Sequence, residues 1–137
     1  MNIYVFGKSS QTADVQVIQN QLRKKGHLIT FDWTLMVDYY KRNPEKLTPV
    51  IEREESILCL SGVCMADVAV GYVPDKLEYR GAFVEMGIAL AMGIPVILLG
   101  HGMDSCIFTN HPLVSHADIP GLISKLAIME SENENDR

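Results

Sequence analysis

The most reactive-looking carboxylate in the sequence is Glu85, because of its surroundings rather than its type. It follows Gly81 by four residues and is flanked by Ala82, Phe83, Val84, Met86 and Gly87, so an acid stands inside an apolar stretch. Four residues beyond a glycine that opens a helix, it falls in the first or second turn. There the helix dipole favours the ionised form. A carboxylate so held suits a nucleophile or an electrostatic stabiliser of a developing cation; a solvated helix acid is the plainer alternative. Asp67 opens the apolar run Val68-Ala69-Val70-Gly71-Tyr72-Val73. An acid there is costly unless paired, and Asp67 reads equally as a reacting group or as a cap on the preceding helix.

Gly7-Lys8-Ser9-Ser10 resembles part of a phosphate loop, but a Walker A motif needs a glycine five residues before Gly7, where Asn2 stands. What remains is a smaller turn, either offering backbone N–H groups and the Ser9 or Ser10 hydroxyl to a phosphate or simply joining a strand to a helix. Trp33, beside Asp32, either stacks on a base or covers the sheet edge. His101, His111 and His116 have no helical or zinc-type spacing. They read as surface or packing histidines, so no metal is expected. Cys59, Cys64 and Cys106 sit in apolar segments as core thiols.

The elements that must position these groups alternate along the chain. Ile3 to Phe6 reads as a strand, and a helix carrying Val15, Ile18 and Leu22 ends at Lys24-Lys25-Gly26. His27 to Trp33 predicts a second strand, Lys41 to Glu45 a connection, and Pro49 the start of a helix through Leu60. The run after Asp67 is a buried strand. A helix from Gly81 ends at Gly93, and Pro95 opens the strand Val96-Ile97-Leu98-Leu99. An irregular stretch from Gly100 to Pro112, a short strand and a helix from Pro120 to Met129 complete the pattern. Such alternation predicts an α/β three-layer sandwich, Rossmann-like in its alternation, with a five-stranded, mostly parallel sheet. Ligands of such sheets gather at the C-terminal ends of the strands, which selects Gly7 to Ser10, Asp32 to Thr34, Tyr72 to Gly81 and Gly100 to Asn110.

With 137 residues the chain predicts one domain, residues 1–129, followed by an acidic, disordered tail over 130–137. The net charge is −5, of which the tail holds −3, four acids against one arginine, leaving −2 on the body. No basic stripe offers itself to a nucleic-acid polymer. No apolar run is long enough for a membrane span. Three cysteines without a close pair, and a start without a signal peptide's basic region, predict a cytoplasmic protein.

Three ordered blocks carry a resemblance to a known family. Ile3-Tyr4-Val5-Phe6-Gly7, then Ala66-Asp67-Val68-Ala69-Val70, then Gly81-Ala82-Phe83-Val84-Glu85-Met86-Gly87-Ile88-Ala89, continued by Gly93-Ile94-Pro95-Val96, resembles the nucleoside 2-deoxyribosyltransferases. A related branch of that family hydrolyses nucleoside 5′-monophosphates. The resemblance implies a flavodoxin-like sheet and cleavage or transfer at the N-glycosidic bond of a nucleoside or nucleotide. Glu85 is then the nucleophile at C1′, with Asp67 and Tyr4 assisting, and Ser9 and Ser10 lean toward phosphate binding as in the hydrolysing branch; Gly7, Trp33 and Gly81 join them as substrate contacts from their place at the strand ends. It implies no cofactor. It also implies a homodimer with shared sites, in which Asn110 enters the neighbouring subunit's cleft. The small size argues the same way, since no second domain covers an open cleft. Two positions depart from the transferase pattern: Tyr79 stands where an aspartate is common, and Ala82 where a threonine is. They keep open a non-catalytic nucleotide-binding or sensing module.

Overall fold

A computed structural model describes residues 1–136. Strands β1 (Asn2–Phe6), β2 (Leu28–Ile29), β3 (Val68–Tyr72), β4 (Val96–Leu99) and β5 (Val114–His116) alternate with helices. These are α1 (Thr12–Lys24), α2 (Trp33–Arg42), α3 (Pro49–Cys64), α4 (Gly81–Ala91) and α5 (Ile119–Asn135). The five strands form one sheet in the order β2-β1-β3-β4-β5, and every neighbouring pair is parallel. This is the flavodoxin-like order of an α/β three-layer fold, and the sheet is parallel throughout rather than mostly so. The chain steps outward from β1 to β2 and then back across β1 to β3. The strand order therefore reverses between β1 and β3, where a crevice forms at the carboxyl edge. Right-handed crossovers in opposite directions put α1 on one face of the sheet and α4 on the other, and α3 packs against α4.

The continuous apolar runs form the centre because both faces of these strands are covered. Ile3, Val5, Phe6, Val68, Val70, Val96 and Leu98 are wholly inaccessible to solvent. Each such side chain contributes about 1.5–3 kcal/mol by leaving water. Gly62 of α3 marks the closest approach to the sheet: a Cβ there would stand 2.8 Å from the Phe31 Cβ and 2.9 Å from the Tyr4 ring. The helix thus presses on Tyr4 and leaves its ring no room to swing.

Three expectations about the elements change. The second strand is only Leu28–Ile29, because Asp32 starts a helix instead. Its Oδ1 accepts the Thr34 N–H at 3.0 Å, and this N-cap opens α2 at Trp33, where a strand end was expected. The tail expected to be disordered continues α5 as far as Asn135. Glu130 fastens that extension, accepting from the Met1 amine at 3.0 Å and lying 3.3 Å from His27 Nδ1. Arg137 lies outside the described residues. The cysteines are not core thiols, since all three are partly exposed.

Candidate active site

A cleft of about 390 Å³ opens at the carboxyl edge, at the reversal between β1 and β3. The turn after β1 supplies Gly7, Lys8 and Ser9, the start of α2 supplies Trp33, α3 supplies Cys59, and the segment entering α4 supplies Tyr79, Arg80, Gly81 and Glu85. Gly7 has an ordinary φ; its lack of a side chain serves closeness. A Cβ there would come within 3.1 Å of Val15 Cγ2 and 3.3 Å of the Tyr72 carbonyl oxygen. Trp33 is buried and its indole N–H donates to the Val5 carbonyl at 2.7 Å, so the ring is fixed at the cleft wall.

Glu85 occupies the second turn of α4. A Cβ on Gly81 would lie 3.5 Å from its Oε1, so that oxygen runs along the glycine. Oε2 is turned into the protein, buried and without a hydrogen-bond partner. The helix dipole was expected to keep this acid ionised. Burial outweighs it and pushes the carboxyl up to about 7, against a smaller opposing effect of the Tyr4 phenol. Tyr4 lies beneath the cleft, fully buried. Its hydroxyl is near enough to Glu85 and Cys59 to feel both, yet is itself unpartnered by hydrogen-bond geometry. Burial first, then the negative charge of Glu85, pushes the phenol far above its ordinary range, so it remains a neutral O–H donor. Burial likewise pushes the Cys59 thiol up, with Glu85 and Glu55 adding to the shift, which keeps the sulfur protonated. Two buried oxygens without partners, side by side, are a costly arrangement that a substrate group or a proton shared between them relieves.

Tyr79, at the position where an aspartate is common, is buried and donates to the Asp75 carbonyl at 2.6 Å. It is an apolar wall of the cleft rather than a polar contact. At the mouth, Lys8 donates to the Glu78 carbonyl, and Arg80 reaches Glu78 Oε1 with Nε at 3.1 Å and a terminal nitrogen at 2.8 Å. Two cations and one anion therefore share the rim.

The expected residues separate cleanly. Tyr4, Gly7, Ser9, Trp33, Gly81 and Glu85 come together at or just under the cleft. Asp67 does not: it precedes β3 and so stands at the amino edge, across the sheet from Glu85. There it is exposed and accepts the Asn2 N–H at 2.8 Å. Its acid at the head of a buried strand has an ordinary explanation, a backbone partner. Ser10 is exposed and outside the cleft lining, and Asn110 is exposed on the 3-10 turn Ile107–Asn110, away from its own chain's cleft. Lys8, Cys59 and Arg80 were missed. Lys8 had a signal, lying between Gly7 and Ser9; Cys59 had none.

In comparisons with known proteins, the sequence matches no known family profile and no curated protein. The fold is similar to that of the CMP N-glycosidase BcmB of Clostridium botulinum, with a TM-score of 0.58. The match covers 93% of this chain and 99% of that one at 15% identity. At that identity the likeness is one of fold.

Proposed function

We propose that the chain cleaves the N-glycosidic bond of a nucleoside 5′-monophosphate, with Glu85 as the nucleophile. The observation that carries this reading is the half-buried Glu85 carboxylate, its inner oxygen buried without a partner, in a cleft at the strand-order reversal. A glycosyl transition state carries oxocarbenium charge at C1′, and a carboxylate fixed in a poorly solvated site stabilises that charge more than water does. In the proposed step a Glu85 oxygen bonds to C1′ as the C1′–N bond breaks. The electron pair leaves with the base, which takes up a proton from solvent, replaced by the proton that the attacking water gives up in the second step. Water then attacks C1′, releasing the sugar phosphate and restoring the carboxylate. Transfer to a second base is the alternative fate of the same intermediate.

The other residues take roles around that step. The Tyr4 hydroxyl orients the inner oxygen of Glu85. Trp33 and Tyr79 face the base or sugar as apolar walls, and Gly7, Lys8, Ser9 and Arg80 receive the phosphate through backbone N–H groups and charge. The likeness in fold to a CMP N-glycosidase supports the substrate class. Exposed apolar residues on α3 and α4 (Ile57, Leu60, Val84) and at Ile107 and Phe108, just before Asn110, support a homodimer in which Asn110 reaches the partner's cleft. Incubation with a panel of nucleosides and 5′-monophosphates, assayed for free base, tests the activity. Release from a monophosphate, abolished in Glu85→Ala, is expected; no release from any member overturns the reading. The burial of Tyr79 in place of an aspartate favours a second reading, binding without turnover, which tight calorimetric binding with no base release would establish.

A further inference from the structure

The loop after β4 and the end of β5 bring together three side chains far apart in sequence. His101 Nδ1 lies 2.9 Å from Asp104 Oδ2, and His116 Nε2 lies 3.6 Å from Asp104 Oδ1. The two imidazoles stack with centroids 4.4 Å apart. One ligand atom from each of the three residues lies within 4.8 Å of the other two. From this convergence we propose a binding site for a late first-row divalent cation of the zinc class, held by His101, Asp104 and His116.

Three features support it. First, a tetrahedral ion with bonds of about 2.0–2.1 Å spaces its ligand atoms about 3.3 Å apart. The two His–Asp separations, each to a different oxygen of Asp104, bracket that value, so the carboxylate faces both imidazoles, and the stacked rings must turn about their Cβ–Cγ bonds for both nitrogens to aim at one ion. Second, His116 Nε2 is shielded from solvent and has no hydrogen-bond partner. A buried nitrogen in that state is destabilising, and a cation satisfies it. Third, the backbone carrying the ligands is built rigidly. Gly100 has a φ of +114°, and Cβ atoms on Gly100 and Gly102 would stand 2.4 and 2.0 Å from the carbonyl oxygens of Val73 and Asp75. The Gly102 N–H donates to the Val73 carbonyl at 2.8 Å. Only glycine permits this crossing, which fixes His101 and Asp104 against the end of β4 while His116 is fixed by pairing in β5.

Two imidazoles and one carboxylate suit zinc, cobalt(II) or nickel(II) better than calcium or magnesium, which prefer all-oxygen sites. Three protein ligands leave positions open toward an adjoining hollow of about 690 Å³, bordered by Pro74, Gly100 and Asp118. The bound ion would tie the ends of β4 and β5 together across the loop that carries Asn110. None of the three residues lines the cleft.

Zinc titration of the full chain by calorimetry at pH 7.5, with cobalt(II) absorption as a second readout, tests it. One ion per chain is expected, with affinity falling about 100-fold in His101→Ala and in His116→Ala. Circular dichroism checks that both variants fold. Addition of zinc should shift the imidazole NMR signals of His101 and His116 and leave His111 unmoved. Absence of binding by the unmodified chain overturns the proposal. So does binding that survives both substitutions but is lost in His27→Ala, which would locate the ion beside the Met1 amine and Glu130.

Discussion

The sheet carries an acid at each of its edges, and the two have opposite fates. Asp67 at the amino edge and Glu85 at the carboxyl edge are both acids beside an apolar run. Asp67 is exposed and receives a backbone N–H, so its charge is solvated and satisfied. Glu85 is enclosed by Tyr4 and Cys59, has one oxygen with no partner, and titrates near 7 instead of in the usual carboxylate range. The difference lies in which end of a parallel strand the chain reaches them from. At the carboxyl edge the loops and helix N-termini build walls around a side chain, whereas at the amino edge a strand simply begins. An acid's local neighbours therefore indicate little about its chemistry until its edge is known.

The sharpest way to break this contrast is to remove each carboxylate without changing its shape. Glu85→Gln is expected to lower base release by about 10³-fold or more, as loss of a nucleophile does. Asp67→Asn is expected to stay within about twofold of the parent. Comparable losses at both positions, measured with the same nucleotide, would end the distinction.

Stability should move the other way. A carboxyl raised in the folded state costs nothing below pH 4, where it is protonated whether folded or not. The cost appears as pH rises past its unfolded value and is complete above about 7. Glu85→Gln is therefore expected to stabilise the fold by up to roughly 3 kcal/mol at pH 8 and by almost nothing at pH 4. Denaturant midpoints at the two pH values check this, and an equal effect at both would contradict it. Tyr4→Phe removes the hydroxyl that opposes the upward shift. Its expected effects are about a tenfold loss of base release and an acid limb displaced to higher pH. The smallest effect is that of Asp67→Ala, a loss of at most about 1 kcal/mol from an exposed backbone hydrogen bond, seen as a slightly lower urea midpoint.

Much of this architecture was legible in the residues. The buried runs at Ile3–Phe6, Val68–Val73 and Val96–Leu99 announced parallel strands, and Gly81 with Glu85 announced the helix start that lines the cleft. Other features were hidden for physical reasons. Phe31-Asp32-Trp33-Thr34 reads as a strand end until Asp32 is recognised as a cap. The acidic end of α5 looks unable to order because its anchor, Glu130 against Met1 and His27, is tertiary. Cys59 gave no sign of the cleft, since α3 leaves Ile57, Leu58 and Leu60 exposed on either side of it and shows no single apolar face. His101, Asp104 and His116 fit no spacing rule because a glycine crossing, rather than a helix, brings them together. Asp67 misled because sequence resemblance reports neighbours in the chain and not the edge of the sheet.

The ionisation of Glu85 is read by the pH dependence of kcat/KM for base release, a ratio that reports the groups of the free protein and, for a nucleotide, its phosphate, which titrates at about 6. In the proposed reaction the ionised carboxylate is the attacking form, so activity is predicted to rise with pH through an acid limb near 7 and then level off. A rate that stays flat from about pH 5 to 8, or a limb near 4, where an ordinary exposed carboxylate titrates, would contradict the account.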